Sequence, residues 1–441
     1  MKKSSLFSFV LLLLYSAGAF AQKYEPTPEN LSSRAEFSSH RLGIFLHWGI
    51  YSSYAQGEWY LSIGNLSPEA YSEAATGFYP SEFDPAQWAR AFKEAGAGYV
   101  TMTSRHHDGF SMFRTKASPF NIVDATPYGR DVAGELTAAV KAEGMRMQFY
   151  YSIIDWIRPD YPKGNSGIRK DPSKYDYDHY LQFEKAQIKE LIEQYHPAAL
   201  WFDGLWDHSS DWEVSKWRMD EMYSYIHSLD PACLIGNNHH ISPLEGEDFQ
   251  MFEKDLPGEN TTGFGGQSIS VLPLEMCETM NDVWGYSVAD QNYKSVKTLI
   301  QLLVRAAAKD SNLLLNIGPQ ANGKLPEKAL DRLRGMGEWM RKYSFTVDGT
   351  TKTGIPEQPW GVSTRTDNEI YLHILSPDSL PSNGKEGAIV IPFTGKVSDV
   401  VLLTNGEKLP FTLGKDGFLR VNVPVTGFEE IDTILKVNLK K

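Results

Sequence analysis

The chain has 441 residues, a formal charge of −12 and 12% aromatic side chains, 11 of them tryptophan. An acidic balance without Lys/Arg clusters excludes nucleic acid and anionic membrane as partners. Two cysteines, Cys233 and Cys277, exclude a disulfide scaffold, and their core-like surroundings lead us to expect buried free thiols.

The N-terminus reads as a leader. Lys2 and Lys3 precede the apolar run Leu6 to Leu14, and Ala19-Phe20-Ala21 makes a small-x-small cleavage site before Gln22. The run is too short to span a bilayer comfortably, and no cysteine follows it to take a lipid. Residues 1–21 are therefore expected to be a signal peptide, and the mature chain secreted or periplasmic without a membrane anchor.

Apolar strands that end in reactive side chains then recur. RLGIFLHWG runs into His47 and Trp48, and AQGEWYL places Glu58 and Trp59 in the loop beyond. The strand through Thr101 ends on Arg105, His106, His107, Asp108 and Gly109; RMQFYYS runs into Tyr151; AALWFDG ends on Asp203; SNLLLNIGP ends on Asn316 and Gly318. Between them the apolar spacing is helical. One helix starts at Asp84-Pro85, an N-cap followed by proline at the first position. Others run roughly from Asp131 to Glu143, Asp178 to Gln194, Ser215 to Leu229, Tyr293 to Lys309 and Pro326 to Tyr343. Strand, loop and helix repeated in this way predict a parallel α/β architecture. Strand ends carrying His, Tyr, Trp and Asp favour a barrel over a dinucleotide fold, and no Gly-x-Gly-x-x-Gly or Walker loop is present.

Near Tyr343 the pattern changes. Short alternating runs (Glu369 to Leu375, Gly387 to Phe393, Asp399 to Thr404, Asp432 to Leu439) are separated by turns such as Asn405-Gly406. Residues 22–344 are thus expected to form a (β/α)₈-like TIM barrel, and 345–441 a small antiparallel β-sandwich without a polar constellation of its own.

Asp203 is the leading nucleophile candidate, since a carboxylate at a strand end followed by glycine emerges at the catalytic mouth of a barrel. Helix capping is the bland alternative, but Trp206-Asp207-His208 is not a helix start. A glycosidase needs a second carboxyl. Glu253 leads, beside Phe249, Met251 and Phe252, whose apolar surroundings would raise its pKa; Glu275 and Glu259 are the alternatives. The pairs His106-His107 and His239-His240 invite a metal. Adjacent strand residues point to opposite faces, however, and no His-x-His or His-Glu-x-x-His spacing exists, so no metal is expected.

The ordered set GIFLHWG, GEWY, SRHHDGF, FYYS, LWFDG, DFQMFE, VWGY and LLLNIGP resembles α-L-fucosidases of glycoside hydrolase family 29 from about Arg41 to Tyr343. The resemblance implies a barrel followed by a β-sandwich, and hydrolysis of terminal α-L-fucosyl linkages with retention, without a cofactor. It makes Asp203 the nucleophile and Glu253 the acid/base. His47, Glu58, Trp59, His106 and His107 become fucose ligands, with Tyr151, Trp201 and Trp284 as pocket residues. The chain departs from the pattern where many relatives carry Asn-Asp-Arg: it reads Asn237-Asn238-His239-His240, so the arginine contact expected near the acid is either missing or replaced by His239. A fucosylated oligosaccharide or glycan is the implied substrate. A non-catalytic fucose-binding protein and an α-L-galactosidase are the alternatives.

Overall fold

The computed structural model describes residues 24–162, 168, 171–207, 214–382, 386–424 and 426–440. The expected leader therefore lies outside the described residues.

Eight parallel strands form the barrel: β1 (Leu42–Leu46), β2 (Tyr99–Arg105), β3 (Arg146–Ser152), β4 (Ala199–Asp203), β5 (Leu234–Asn238), β6 (Gln250–Glu253), β7 (Leu274–Thr279) and β8 (Ser311–Ile317). Their hydrogen-bonded order is β5-β4-β3-β2-β1-β8-β7-β6. At the seam between β5 and β6, the amides of Asp248 and Phe249 donate to the Ile235 carbonyl at 2.7 and 3.3 Å. The fully buried Asp248 carboxylate reinforces this junction. It accepts from Ile235 N at 2.8 Å, from Arg34 Nη2 at 2.7 Å and lies 3.0 Å from His227 Nε2.

Because helices cover the outside, the strands are buried on both faces and read as near-continuous apolar runs. Alternate residues separate into two cores. Phe45, Tyr99, Tyr150, Trp201, Met251, Cys277 and Leu314 fill the interior, whereas Ile44, Leu46, Val100, Phe149, Phe202 and Leu315 pack outward. Helix α1 (Pro28–Ser39), capped by Thr27, closes the N-terminal end through Phe37, which lies against Tyr99 and Phe249.

The outer helices are α2 (Pro85–Glu94), α3 (Val132–Ala142), α4 (Tyr177–Tyr195), α5 (Met219–Leu229), α6 (Val296–Ala308) and α7 (Glu327–Tyr343). Asp84 caps α2 as its sequence suggests, accepting from Gln87 N at 2.9 Å. Helix α5 starts later than the expected Ser215. A 3₁₀ turn (Val214–Trp217) precedes it, and Arg218 at φ 51° breaks the path between them.

Beyond α7, the remaining strands form a six-stranded and a three-stranded sheet. The four expected runs are the strands Glu369–Ile374, Glu386–Pro392, Val397–Leu402 and Thr433–Leu439. Leu372, Ile389, Val400, Val421 and Leu435 share their core. Gln301 of α6 ties them to the barrel, donating to the carbonyls of Leu375 and Ile431 at 2.9 Å each. The expected lack of a polar constellation is corrected: the buried His373 Nδ1 sits 2.7 Å from Asp432 Oδ2, and its Nε2 sits 3.2 Å from Thr364 Oγ1. Cys233 and Cys277 are buried free thiols, as expected.

Candidate active site

A cavity of about 320 Å³ opens at the C-terminal ends of the strands. Its wall contains nine of the ten site residues expected from sequence: His47, Glu58, Trp59, His106, His107, Trp201, Asp203, Glu253 and Trp284. Residues scattered over more than two hundred positions meet there because every parallel strand delivers its C-terminal end to the same face.

Asp203 ends β4. Its Oδ2 accepts from Tyr150 Oη at 2.9 Å, and its Oδ1 accepts from Gly204 N at 2.8 Å and Trp206 Nε1 at 3.0 Å. It caps no helix. Gly204 has φ 110°, and a Cβ there would stand 2.5 Å from Ile154 Cγ1, so the turn that presents the carboxylate requires glycine. Burial, followed by the negative charge of Glu253, raises the Asp203 pKa to about 6. Glu253 ends β6 and accepts from Asn238 Nδ2 at 2.8 Å; burial raises its pKa as well. Among the described residues, three donors favour the ionised form of Asp203, whereas one favours that of Glu253.

The histidines are held by partners behind them. Asn316 Nδ2 donates to the Trp284 carbonyl at 2.7 Å, so Asn316 Oδ1 accepts from His47 Nδ1, also at 2.7 Å. That leaves His47 Nε2 as a bare acceptor. Burial lowers the His47 pKa to about 3, and burial pushes His106 and His107 well down too. His107 Nδ1 sits 2.7 Å from Ser152 Oγ, which turns Nε2 toward Asp203 Oδ2 at 3.6 Å. Arg105 anchors the loop behind it. Its guanidinium donates to the carbonyls of Ser152 and Ile154 at 3.0 and 3.2 Å, and to Asp155 Oδ2 at 2.8 Å. Glu58 accepts from Gly285 N at 2.7 Å, and burial raises its pKa. Neutral rings and an acceptor carboxylate can share hydroxyl hydrogen bonds without a fixed positive charge.

Aromatic rings complete the wall. Trp59 stacks on Trp206 at 5.5 Å and 19°, and Trp284 lies 5.2 Å from His47 and 6.0 Å from Phe45. Among the described residues no group of His, Cys, Asp and Glu is arranged to hold a metal ion.

Three placements differ from the sequence expectation. Tyr151 does not reach the cavity: on β3 it points outward, and its hydroxyl donates to Gln187 Oε1 at 2.9 Å. Tyr150, one residue earlier, faces inward. Likewise His239 turns away to Glu247 Oε1 at 2.9 Å, whereas His240 Nε2 stands 3.6 Å from Glu253 Oε2. On β3 the pleat reverses the side on alternate residues, so an error of one position inverts the assignment there. The alternative acids are elsewhere too. Glu275 is buried beneath the cavity, accepting from Tyr99 Oη and from Trp201 Nε1 at 2.9 Å, and Glu259 pairs with Lys309 at 3.4 Å. Sequence reasoning also missed Trp206, Asn238 and Phe264 of the cavity wall. A strict alternation counted from Asp203 and Glu253 along neighbouring strands would have found Tyr150 and Asn238.

A parallel barrel with two buried carboxyls at its mouth, set among hydroxyl-binding and aromatic side chains, is a glycoside hydrolase. The alpha-L-fucosidase family model matches residues 12–344, and the chain belongs to that family. The alpha-L-fucosidase of Dictyostelium discoideum is 27% identical over 96% of both chains. Alpha-L-fucosidase isoenzyme 1 from Paenibacillus thiaminolyticus is 32% identical, with a TM-score of 0.81 over 94% of this chain and 100% of its own. A GH29 alpha-L-fucosidase from Bacteroides thetaiotaomicron was trapped as a covalent intermediate with 2-fluoro-fucosyl fluoride in a glutamate-to-glutamine mutant. It is 26% identical, with a TM-score of 0.80 over 96% of this chain and 99% of its own.

Proposed function

We propose that this α-L-fucosidase is secreted and exo-acting, and that it releases terminal L-fucose with retention through a covalent intermediate. The observation that carries this reading is the unequal treatment of two carboxyls in one cavity. Asp203, gripped by three donors, is poised as the ionised nucleophile; Glu253, gripped by one, holds the proton. In the first step Asp203 attacks the anomeric carbon while Glu253 protonates the departing oxygen. Glu253 then takes a proton from water as it attacks the same carbon, and the Asp203 ester is released. The covalent intermediate of the Bacteroides relative supports the same sequence of steps here.

His47, Glu58, Trp59, His106 and His107 bind the fucose hydroxyls. Trp284 and Phe45 form the apolar wall against which the 5-methyl group packs. An α-L-galactoside would bring an unpaired hydroxyl to that wall, which disfavours it. The catalytic unit spans residues 22–344, with 345–441 as its packing partner.

The test is release of 4-nitrophenol from the aryl α-L-fucoside, with the first-formed anomer followed by NMR. Asp203→Ala is expected to remove nearly all turnover, and Glu253→Ala to lose most on poor leaving groups. Substantial turnover by Asp203→Ala, or a first product of inverted configuration, refutes the mechanism. A folded wild type that binds fucose without hydrolysing any fucoside would instead be a binding protein.

A further inference from the structure

The acid residue fixes where the departing group must lie, because its proton has to reach the glycosidic oxygen. On the Glu253 side, the wall includes Asn238, Cys277, His240 and Phe264, of which the last two lie in loops beyond the strands. His240 follows β5 at φ 61°, with its Nε2 3.6 Å from Glu253 Oε2. Phe264, from the connection between β6 and β7, lies on that imidazole at 4.8 Å and 23°. One face of the phenyl ring is used in this contact, yet the residue remains 44% exposed at the cavity edge. The wall's charges are also one-sided. Among the described residues it contains the carboxyls of Glu58, Asp203 and Glu253 and no lysine or arginine. The neighbouring Lys254 is turned aside, its Nζ donating to the Asp282 carbonyl at 3.1 Å and lying 5.3 Å from the Trp284 ring.

We propose that Phe264, seated on His240, is the platform of the leaving-group subsite, and that it receives the apolar face of a neutral pyranose, a hexose or N-acetylhexosamine. This rests on the reading of Glu253 as the acid of a fucosidase. The C–H bonds on one side of such a ring present weakly positive hydrogens, which complement the negative face of an aromatic ring. A uronic acid in the same place would bring a carboxylate toward the carboxyls of Glu58, Asp203 and Glu253, in a wall whose described residues offer no lysine or arginine to pair with it, and like charges at an interface are strongly disfavoured.

The test uses three substrates and two variants. α-L-Fucosyl fluoride has no ring in its leaving group and reports the fucose site and Asp203 alone. A fucosyl disaccharide with a neutral aglycone, and its counterpart ending in a uronic acid, report the platform. For Phe264→Ala, kcat/KM on the neutral disaccharide relative to the fluoride should fall about tenfold. Phe264→Tyr should restore the ratio to within about threefold of wild type. Wild type should turn over the uronic acid substrate at least about tenfold less well than the neutral one. An equal fall on fluoride and disaccharide, or equal turnover of neutral and anionic aglycones, overturns the proposal while the fucosidase reading stands. A wild type inert on the fluoride overturns both.

Discussion

Tyr150→Phe isolates one hydrogen bond of the proposed nucleophile. The substitution deletes the hydroxyl that donates to Asp203 Oδ2 at 2.9 Å and leaves the ring in place. That ring is stacked on His106 at 5.5 Å and 14° and on Trp201 at 5.4 Å and 26°, so the fold should tolerate the change. A hydrogen bond to a charged acceptor contributes about 1.5–3 kcal/mol. At about 1.36 kcal/mol per pKa unit, its loss raises the Asp203 pKa by roughly one to two units. Asp203 must be ionised to attack, so activity falls as pH drops through its pKa, and a raised pKa shifts that limb upward. The acid limb of kcat/KM should therefore move from about 6 to above roughly 7. At pH 6 the variant should be about 5- to 50-fold slower, and the two enzymes should converge at higher pH. The assay is the pH profile of kcat/KM on the aryl α-L-fucoside. Superimposable acid limbs would show that the Tyr150 hydroxyl does not hold the ionised form of Asp203, and would refute the assignment of the proton within the pair.

Other expectations concern the scaffold. Gly204→Ala places a methyl 2.5 Å from Ile154 Cγ1 at a φ that alanine disfavours; it should cost about 2–5 kcal/mol in chemical denaturation and abolish turnover in the folded fraction. Asp248→Ala strips the partner from Arg34 and from the Ile235 amide at the barrel seam. It should lower stability by about 3–5 kcal/mol, and an unchanged denaturation midpoint would show that the seam does not depend on this carboxylate. Glu275→Gln keeps side-chain volume outside the cavity and should retain turnover within about tenfold of wild type; a loss as deep as that of Glu253→Ala would reopen the choice of acid. The same variant has a stability signature. Burial raises the Glu275 pKa from 4.5 to about 7, so ionising it in the folded state opposes folding. Wild-type stability from this group declines as pH rises between those values, and Glu275→Gln should flatten that decline in thermal melts from pH 4.5 to 7.

What was legible in the sequence was local. Near-continuous apolar runs ending on His, Asp or Glu announce parallel strands buried on both faces, because only the strand end can carry such groups without burying a charge in packed layers. Hence the barrel, the sandwich strands and the position of Asp203 at a strand end were readable from runs of five to ten residues, whereas Trp201 and Trp284 entered only through the family resemblance. The Asp84-Pro85 helix start was equally local, since a cap needs only its own next turn.

Tertiary structure alone decided which member of each adjacent pair faces the cavity and how deep it sits. Tyr150 and Tyr151 are alike in chemistry and neighbourhood, and only the register of a closed sheet assigns them to opposite faces; His239 and His240 are separated by the loop beyond β5, where His240 has φ 61°. Glu253 and Glu275 both point into the barrel, but Glu253 ends its strand whereas Glu275 is the second residue of its own. One carboxyl therefore emerges at the mouth beside Asp203, and the other is sealed beneath it by Tyr99 and Trp201. Gly204 and Trp206 lie within three residues of Asp203, but Tyr150 reaches it from the neighbouring strand and Glu253 shares its cavity from two strands away. Those meetings are made by the closed barrel, which no local pattern of residues encodes.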